Sequence, residues 1–164
     1  MSEKTIYLAV GCFWGCQKYF DMQRGVQRTE VGYASGPTAN PSYEEVKRHA
    51  GHAETVRVVY DPDVLPFRAL LEAYYKVIDP VSVNKQGEDE GVQYRTGVYY
   101  ADAGDLTVIR VALDDLAARI DGPLAVECLP LENFYPAEEY HQKYLEKHPD
   151  DYCHIHFDCR RKHS

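Results

Sequence analysis

The residues best suited to chemistry lie near the start of the chain, at 11–15, where the sequence reads Gly-Cys-Phe-Trp-Gly. A short apolar run at 6–10 precedes them and apolar residues at helical spacing follow, so Cys12 is predicted to lie where a strand ends and a helix begins. At a helix start a thiol is close to backbone N–H groups without intrahelical partners and to the positive end of the helix dipole. Both favour the thiolate, the reactive form. We therefore predict a nucleophilic Cys12 in preference to a cysteine that only fills the core.

Glu54 is the second candidate, because it lies on the strongest predicted strand, 53–60. Alternate residues of a strand share a face, so Glu54 lies with Val56 and Val58 on the apolar side, and Arg57 lies on the other. Loss of solvation there favours the neutral carboxylic acid, and a carboxyl group that stays protonated near neutral pH is a general acid. The alternative is a strand-end glutamate that turns towards water.

Two further polar groups lie in segments that could border a site. Asp89 lies in a long polar loop at 82–93, and loops of that length inside a domain are often functional. Tyr43 follows Ser42, which with Glu45 forms a capping box that predicts a short helix. The alternatives are a solvated acidic loop and an ordinary core or surface tyrosine.

The cysteines and the overall composition restrict the class of protein. The five cysteines are Cys12, Cys16, Cys128, Cys153 and Cys159. An odd number in a chain of 164 residues argues against a disulfide framework and for thiols used in redox chemistry, catalysis or metal binding, with some simply buried. The 153–159 segment has residue types that suit zinc, but without a second ligand pair elsewhere we predict no metal site and no cofactor.

Charge and hydropathy exclude several partners. The net charge of −8 argues against nucleic acid and anionic membranes. No apolar run approaches the roughly 18 residues of a membrane span. The apolar run near the start, at 6–10, is too short to be the core of a secretory signal. We therefore expect a cytoplasmic monomer with one catalytic domain over 1–164 and a Cys/His-rich tail at 150–164.

The elements that must position these residues alternate along the chain. The pattern predicts strands at 6–10, 26–33, 53–60, 94–101 and 124–129, and helices from 13, from 42, from 66, over 106–120 and over 137–147. This alternation is compatible with a parallel α/β sheet and with a two-layer α+β sandwich, and the pattern does not decide between them.

Five short motifs, in this order, resemble those of the A-type peptide methionine sulfoxide reductases. They are the segment 11–15, Gly51-His52-Ala53-Glu54, Gln86-Gly87-Glu88-Asp89 with Gln93-Tyr94-Arg95, Tyr140-His141-Gln142 and Tyr152-Cys153. The resemblance implies an α+β fold, a two-layer sandwich in which helices flank a mixed sheet with a ferredoxin-like core. It also implies reduction of the S epimer of methionine sulfoxide, free or in oxidised proteins, with thioredoxin as the reductant. The ending at Tyr152-Cys153 resembles that of members joined to a B-type reductase, and because the sequence stops soon after it we expect no B-type reductase domain.

The resemblance also implies roles for individual residues. Cys12 matches the nucleophile that attacks the sulfoxide sulfur, and Glu54 matches the acid that protonates its oxygen. Phe13 and Trp14 match the pocket for the methyl group. The groups that match those holding the oxygen and a nearby water are Tyr43, Asp89 and Tyr94.

More than one cysteine could supply the thiol that reacts with the oxidised nucleophile. Cys153 matches the family's resolving cysteine, which would form a disulfide with Cys12. Cys16 departs from the usual pattern; it follows Cys12 by one helical turn and is an alternative resolver or a packing residue. Cys159 is a further candidate thiol. Two other classes of function, a cysteine hydrolase or acyltransferase and a zinc-binding module, stay as alternatives.

Overall fold

The structure is a computed structural model that describes residues 3–11, 13–36, 41–43, 46, 51–86, 89–120 and 123–142. Cys12, Cys153 and Cys159 lie outside the described residues, as does the whole 150–164 tail. Among those described are eight strands and three α-helices: β1 Lys4–Val10, α1 Phe13–Asp21, β2 Val26–Ala34, β3 Ala53–Tyr60, α2 Phe67–Tyr75, β4 Lys85–Gln86, β5 Asp89–Glu90, β6 Thr96–Tyr100, α3 Leu106–Arg119, β7 Glu127–Pro130 and β8 Phe134–Pro136.

Six of the strands form one sheet in the order β7-β6-β1-β3-β2-β8. Strand β3 is antiparallel to both neighbours, so β1 and β2 run in the same direction on either side of it. Strand β6 is antiparallel to β1. The chain order β1-α1-β2-β3-α2-β6 with the spatial order β6-β1-β3-β2 is the ferredoxin-like arrangement. Strand β7 joins β6 in parallel, which makes the sheet mixed, and the predicted α+β fold is confirmed.

The main core lies between one face of this sheet and the helices. Helix α2 shows why it forms: after Pro66 its buried residues recur at helical spacing, and these are Phe67, Leu70, Leu71, Tyr74 and Tyr75. They pack with Leu8 of β1 and Val58 of β3, both fully buried. Burial of each large apolar side chain contributes about 1.5–3 kcal/mol, so the packed face stabilises this helix more than its intrinsic propensity does.

Three predicted elements differ from the structure, and one is the strand predicted at 124–129, which begins only at Glu127. Helix α2 ends at Tyr75, although the apolar pattern extends to Ile78. The predicted helix 137–147 is wrong over its described part, because 137–142 holds only a 3₁₀ turn at Glu139–His141. Ala137 there donates its N–H to the carbonyl oxygen of Val31 at 2.9 Å, so the segment begins as a continuation of the β8–β2 pairing. No described helix has the length and apolarity to cross a membrane.

Candidate active site

One edge of the sheet gathers the candidate residues. Strands β1 and β2 end there, whereas β3 and β6 begin there, because these two run antiparallel to β1. The pairing of Val10 with Thr96 and of Tyr33 with Glu54 shows that the four strand ends lie side by side. Cys12 follows the end of β1 in the sequence, Glu54 lies near the start of β3, and Tyr94 comes just before β6.

Glu54 is buried at this edge, with 1% of its surface exposed. The neighbouring alternate residues Val56 and Val58 lie in the main core, so the predicted inward orientation of the carboxyl group is confirmed and the alternative of a side chain turned to water is wrong. Tyr33 lies directly opposite on β2, and opposite residues of an antiparallel pair share a face. Such burial favours the neutral form of a carboxyl group.

An aromatic cluster of Trp14, Tyr43 and His141 lies next to the start of α1. The Trp14 Nε1–H donates to Nδ1 of His141 at 2.9 Å, and the two nearly parallel rings lie edge to edge with centroids 5.8 Å apart. The Tyr43 ring lies 4.3 Å from that of His141 and 6.5 Å from that of Trp14. Helix α1 begins at Phe13, whose side chain lies outside the described part. The indole is thus held by the His141 ring, which itself packs against the Tyr43 ring.

The protonation state of His141 follows from this contact. An indole N–H only donates, so Nδ1 of His141 accepts and the hydrogen of the neutral ring lies on Nε2. Burial lowers the pKa of His141 below its usual 6.5, and the charge of Glu138 opposes the shift without cancelling it. At neutral pH the imidazole is therefore uncharged and suited to accept from Trp14.

Glu138 fixes Tyr43 relative to the sheet. Its Oε1 accepts from the hydroxyl of Tyr33 at 3.0 Å and its Oε2 accepts from the backbone N–H of Tyr43 at 3.1 Å. Partial burial acts to raise the pKa of Glu138, but hydrogen bonds from its own N–H and from these two donors outweigh it, and the pKa lies below its usual value. The Val46 N–H donates to the Ser42 carbonyl at 3.0 Å, which agrees with the helix start predicted at Ser42.

Tyr94 closes a 3₁₀ turn that leads into β6. Its N–H donates to the carbonyl oxygen of Gly91 at 2.9 Å. The next residue, Arg95, donates to the carbonyl oxygen of Ser35 at 3.0 Å and to Glu127 at 2.9 Å, which ties the turn to the end of β2 and to β7. Tyr94 is therefore held at the same sheet edge as Glu54.

Asp89 begins β5 and pairs through its backbone with Gln86, so the polar loop carries a small hairpin that the sequence did not predict. The Asp89 side chain lies outside the described part. The Gln86 amide pairs with the backbone of Asp79, accepting at 2.7 Å and donating at 3.0 Å, which closes the loop into a ring. The backbone of Asp89 is thus held in place by its pairing with Gln86 and by the hydrogen bonds of the Gln86 amide.

The two described cysteines lie in different surroundings. Cys16 is fully buried, and its Sγ lies 3.8 Å from the carbonyl oxygen of Val10 as a weak donor. The structure therefore places Cys16 in a packing position. Cys128, on β7, is half-buried, and burial raises the pKa of its thiol. Among the described residues no group of three or more His, Cys, Asp and Glu could hold a metal ion.

Sequence reasoning did not assign His141 or Glu138 to the site. No Cys/His spacing in the sequence places His141 near Cys12. The one signal that points to it is the motif Tyr140-His141-Gln142, which the family resemblance includes. Nothing in the local sequence marks Glu138, because its role depends on contacts with β2 and Tyr43.

Comparison with known proteins agrees with this geometry. Residues 4–164 match the family model described as peptide methionine sulfoxide reductase. The peptide methionine sulfoxide reductase MsrA of Lachnoclostridium phytofermentans is 59% identical over 154 residues, which are 93% of this chain and 93% of the relative. The match covers nearly the full length of both chains, so the relationship is not limited to the short motifs.

Solved structures share the fold. Mxr1 of Saccharomyces cerevisiae in reduced form is 34% identical, with a TM-score of 0.88, over 92% of this chain and 88% of Mxr1. Mxr1 in complex with Trx2 matches with a TM-score of 0.61 and 24% identity, over 87% of this chain and 84% of that one. With the sheet edge, the buried acid and the family match together, this chain belongs to the A-type peptide methionine sulfoxide reductases, a family of oxidoreductases.

Proposed function

We propose that this enzyme reduces the S epimer of methionine sulfoxide, free and in oxidised proteins, and that thioredoxin regenerates it. The observation that carries the proposal is the buried carboxyl group of Glu54 at the sheet edge where β1 ends. A sulfoxide sulfur is a poor electrophile until its oxygen is protonated or strongly hydrogen-bonded. A buried acid beside a nucleophilic thiol meets that need.

In the first step the thiolate of Cys12 attacks the sulfoxide sulfur while Glu54 gives a proton to the oxygen. The oxygen passes to Cys12 as the S–O bond of the substrate breaks, which leaves methionine and a sulfenic acid on Cys12. Two electrons move from the cysteine sulfur to the methionine sulfur. Helix α1 begins at the next residue, so its dipole supports the thiolate before attack.

The aromatic cluster supports a pocket for the methyl group. Trp14 is half-buried and held by His141, so its ring offers a fixed apolar wall, with Phe13 as the second member. Tyr43, Asp89 and Tyr94 would hold the oxygen and a nearby water. One arrangement of methyl, oxygen and chain fits such a pocket, which accounts for selection of one epimer.

The sulfenic acid is then resolved by a second thiol. Cys153 attacks the Cys12 sulfur, a disulfide forms and water leaves; the thioredoxin dithiol reduces this disulfide and is itself oxidised. The burial of Cys16 supports Cys153 as the resolver, because the Cys16 thiol would have to leave the core. Yeast Mxr1 has been solved in complex with Trx2, which supports thioredoxin as the partner here.

The test separates the acid from the nucleophile. Turnover of S- and R-sulfoxide peptides is followed with thioredoxin, thioredoxin reductase and NADPH in four variants. We expect Cys12→Ser to abolish S-epimer reduction and Glu54→Ala to lower kcat by about 10²–10⁴-fold, the contribution of a general acid. Glu54→Gln should lose less, since an amide still donates a hydrogen bond. Glu30→Gln is the matched control, because Glu30 lies half-exposed on β2 next to Arg57.

The outcomes are distinct. R-epimer reduction at the rate of the S epimer would overturn the stereochemical assignment, and an unchanged rate in Glu54→Ala would remove Glu54 from the mechanism. Peptide mapping after one turnover without reductant should show a Cys12–Cys153 disulfide. A Cys12–Cys16 or Cys12–Cys159 bond in its place would reassign the resolving thiol.

A further inference from the structure

The side-chain amide of Gln142 pairs with the backbone of Val31 in the way that a neighbouring strand would. The Val31 N–H donates to Oε1 of Gln142 at 3.0 Å, and Nε2 of Gln142 donates to the Val31 carbonyl oxygen at 2.9 Å. The same Nε2 lies 3.2 Å from the carbonyl oxygen of Ala137. Val31 is fully buried, so this N–H has no access to water if the amide is removed.

The pair lies where the regular ladder on β2 ends. Strand β8 pairs with β2 from Gly32 to Ala34, and directly after it the Ala137 N–H donates to the Val31 carbonyl oxygen. The Gln142 amide shares that carbonyl oxygen, accepts from the Val31 N–H and so closes the 137–142 segment against the sheet. Glu138 makes the corresponding contacts near the start of the segment.

His141 lies between these two fixed points, directly before Gln142. Its ring bonds to the Trp14 indole, and its position depends on the segment that carries it. The segment has no helical ladder of its own beyond one 3₁₀ turn, so contacts with β2 must hold it in place. Gln142 supplies two of them next to His141.

We propose that Gln142 is a positioning residue for the substrate pocket, which fixes the Trp14 indole through His141. The proposal rests on the proposed function in assigning Trp14 to the methyl pocket. Gln142 itself contacts neither the substrate nor the reacting atoms. Its role is to hold the last residue of the aromatic cluster at the sheet edge.

The chain offers a matched control on the same edge. Asn133 pairs with the backbone of Gly36 in the same two-point manner, donating at 2.9 Å and accepting at 3.4 Å. It lies at the other end of β8, just before Phe134, whereas Gln142 directly follows His141 in the chain. Loss of either amide removes similar hydrogen bonds, but only Gln142 is joined to the Trp14 position.

The experiment uses the single tryptophan of the chain, which gives one indole N–H signal in a ¹H–¹⁵N spectrum. In Gln142→Met we expect that signal to shift and its hydrogen exchange to become about tenfold faster, and kcat/KM for the sulfoxide to fall about fivefold, as for one lost hydrogen bond. Asn133→Leu should lower the thermal midpoint while the indole signal and kcat/KM stay those of the parent.

An indole signal unchanged in folded Gln142→Met, or changed equally in Asn133→Leu, would overturn the proposal. If Gln142→Met does not fold, Gln142→Glu is measured instead. It keeps an acceptor for Val31 but sets a carboxylate oxygen against the Val31 carbonyl, so the indole should shift in the same direction. The spectrum is recorded without turnover. If the parent enzyme did not reduce methionine sulfoxide, the proposed function would be wrong, but the indole signal would still show whether Gln142 positions Trp14.

Discussion

Replacement of His141 by Phe tests the Trp14 contact most directly. The substitution keeps an aromatic ring beside the indole but removes the nitrogen that accepts the 2.9 Å hydrogen bond. A donor left without an acceptor in a partly buried place costs about 1–2 kcal/mol. If the indole must hold that position only while the sulfoxide reacts, the lost hydrogen bond raises the free energy of the transition state by this full amount. The value of kcat/KM then falls about 5–30-fold.

The assay measures kcat and KM for a peptide with S-methionine sulfoxide, with thioredoxin held at saturation. It is combined with the emission of Trp14, the only tryptophan in the chain. The expected result is a lower kcat/KM together with a changed emission spectrum, while urea unfolding remains cooperative. A kcat/KM within twofold of the parent, with changed emission, would refute the reasoning, because the indole would then move without consequence for the reaction.

Three further results are expected. Because burial holds the pKa of His141 below 6.5, the imidazole is protonated in the unfolded chain at a higher pH than in the folded protein. The free energy of unfolding should therefore decrease as the pH falls below about 6.5, by less than ~1.4 kcal/mol per pH unit. His141→Phe should remove this contribution of His141 to the pH dependence. Tyr74→Phe should lower the free energy of unfolding by about 1–3 kcal/mol in urea titrations, because the buried hydroxyl bonds to β1 at 2.6 Å and to β6 at 3.0 Å. An unchanged free energy of unfolding would show that this hydroxyl does not stabilise the pairing of β1 with β6. Gly32→Ala should cost about 1–3 kcal/mol in thermal unfolding, since its Cβ would lie 2.5 Å from the Phe134 ring, whereas Gly104→Ala, with its nearest contact at 3.2 Å, should cost less; equal costs would contradict the packing of β8.

The parts of the site that the sequence could predict depend on local periodicity. The two-residue repeat of β3 placed Glu54 on the buried face, because pleating alone decides which side a residue faces. The buried residues of α2 likewise follow the apolar spacing of the sequence after Pro66. The antiparallel order of the strands could not be predicted from the pattern, since strands separated by helices suit a parallel sheet as well.

The 137–142 segment could not be predicted for a different reason. Its residues favour a helix locally, but the hydrogen bonds of Glu138 and Gln142 to β2 and Tyr43 outweigh that preference. These partners lie about a hundred positions away in the sequence, so no local window contains the information. The role of His141 depends on the same distant contacts.

The separation of Trp14 and His141 by 127 positions also decides the order in which the pocket is completed. Contacts between distant positions form late, because a long loop must close before they gain anything. The four strands of the ferredoxin-like sheet, with Glu54, lie within the first 100 residues, and the 137–142 segment follows them in the chain. Pairing of these strands brings Glu54 to the end of β1 without His141, whereas the indole is fixed only once the 137–142 segment has docked on β2.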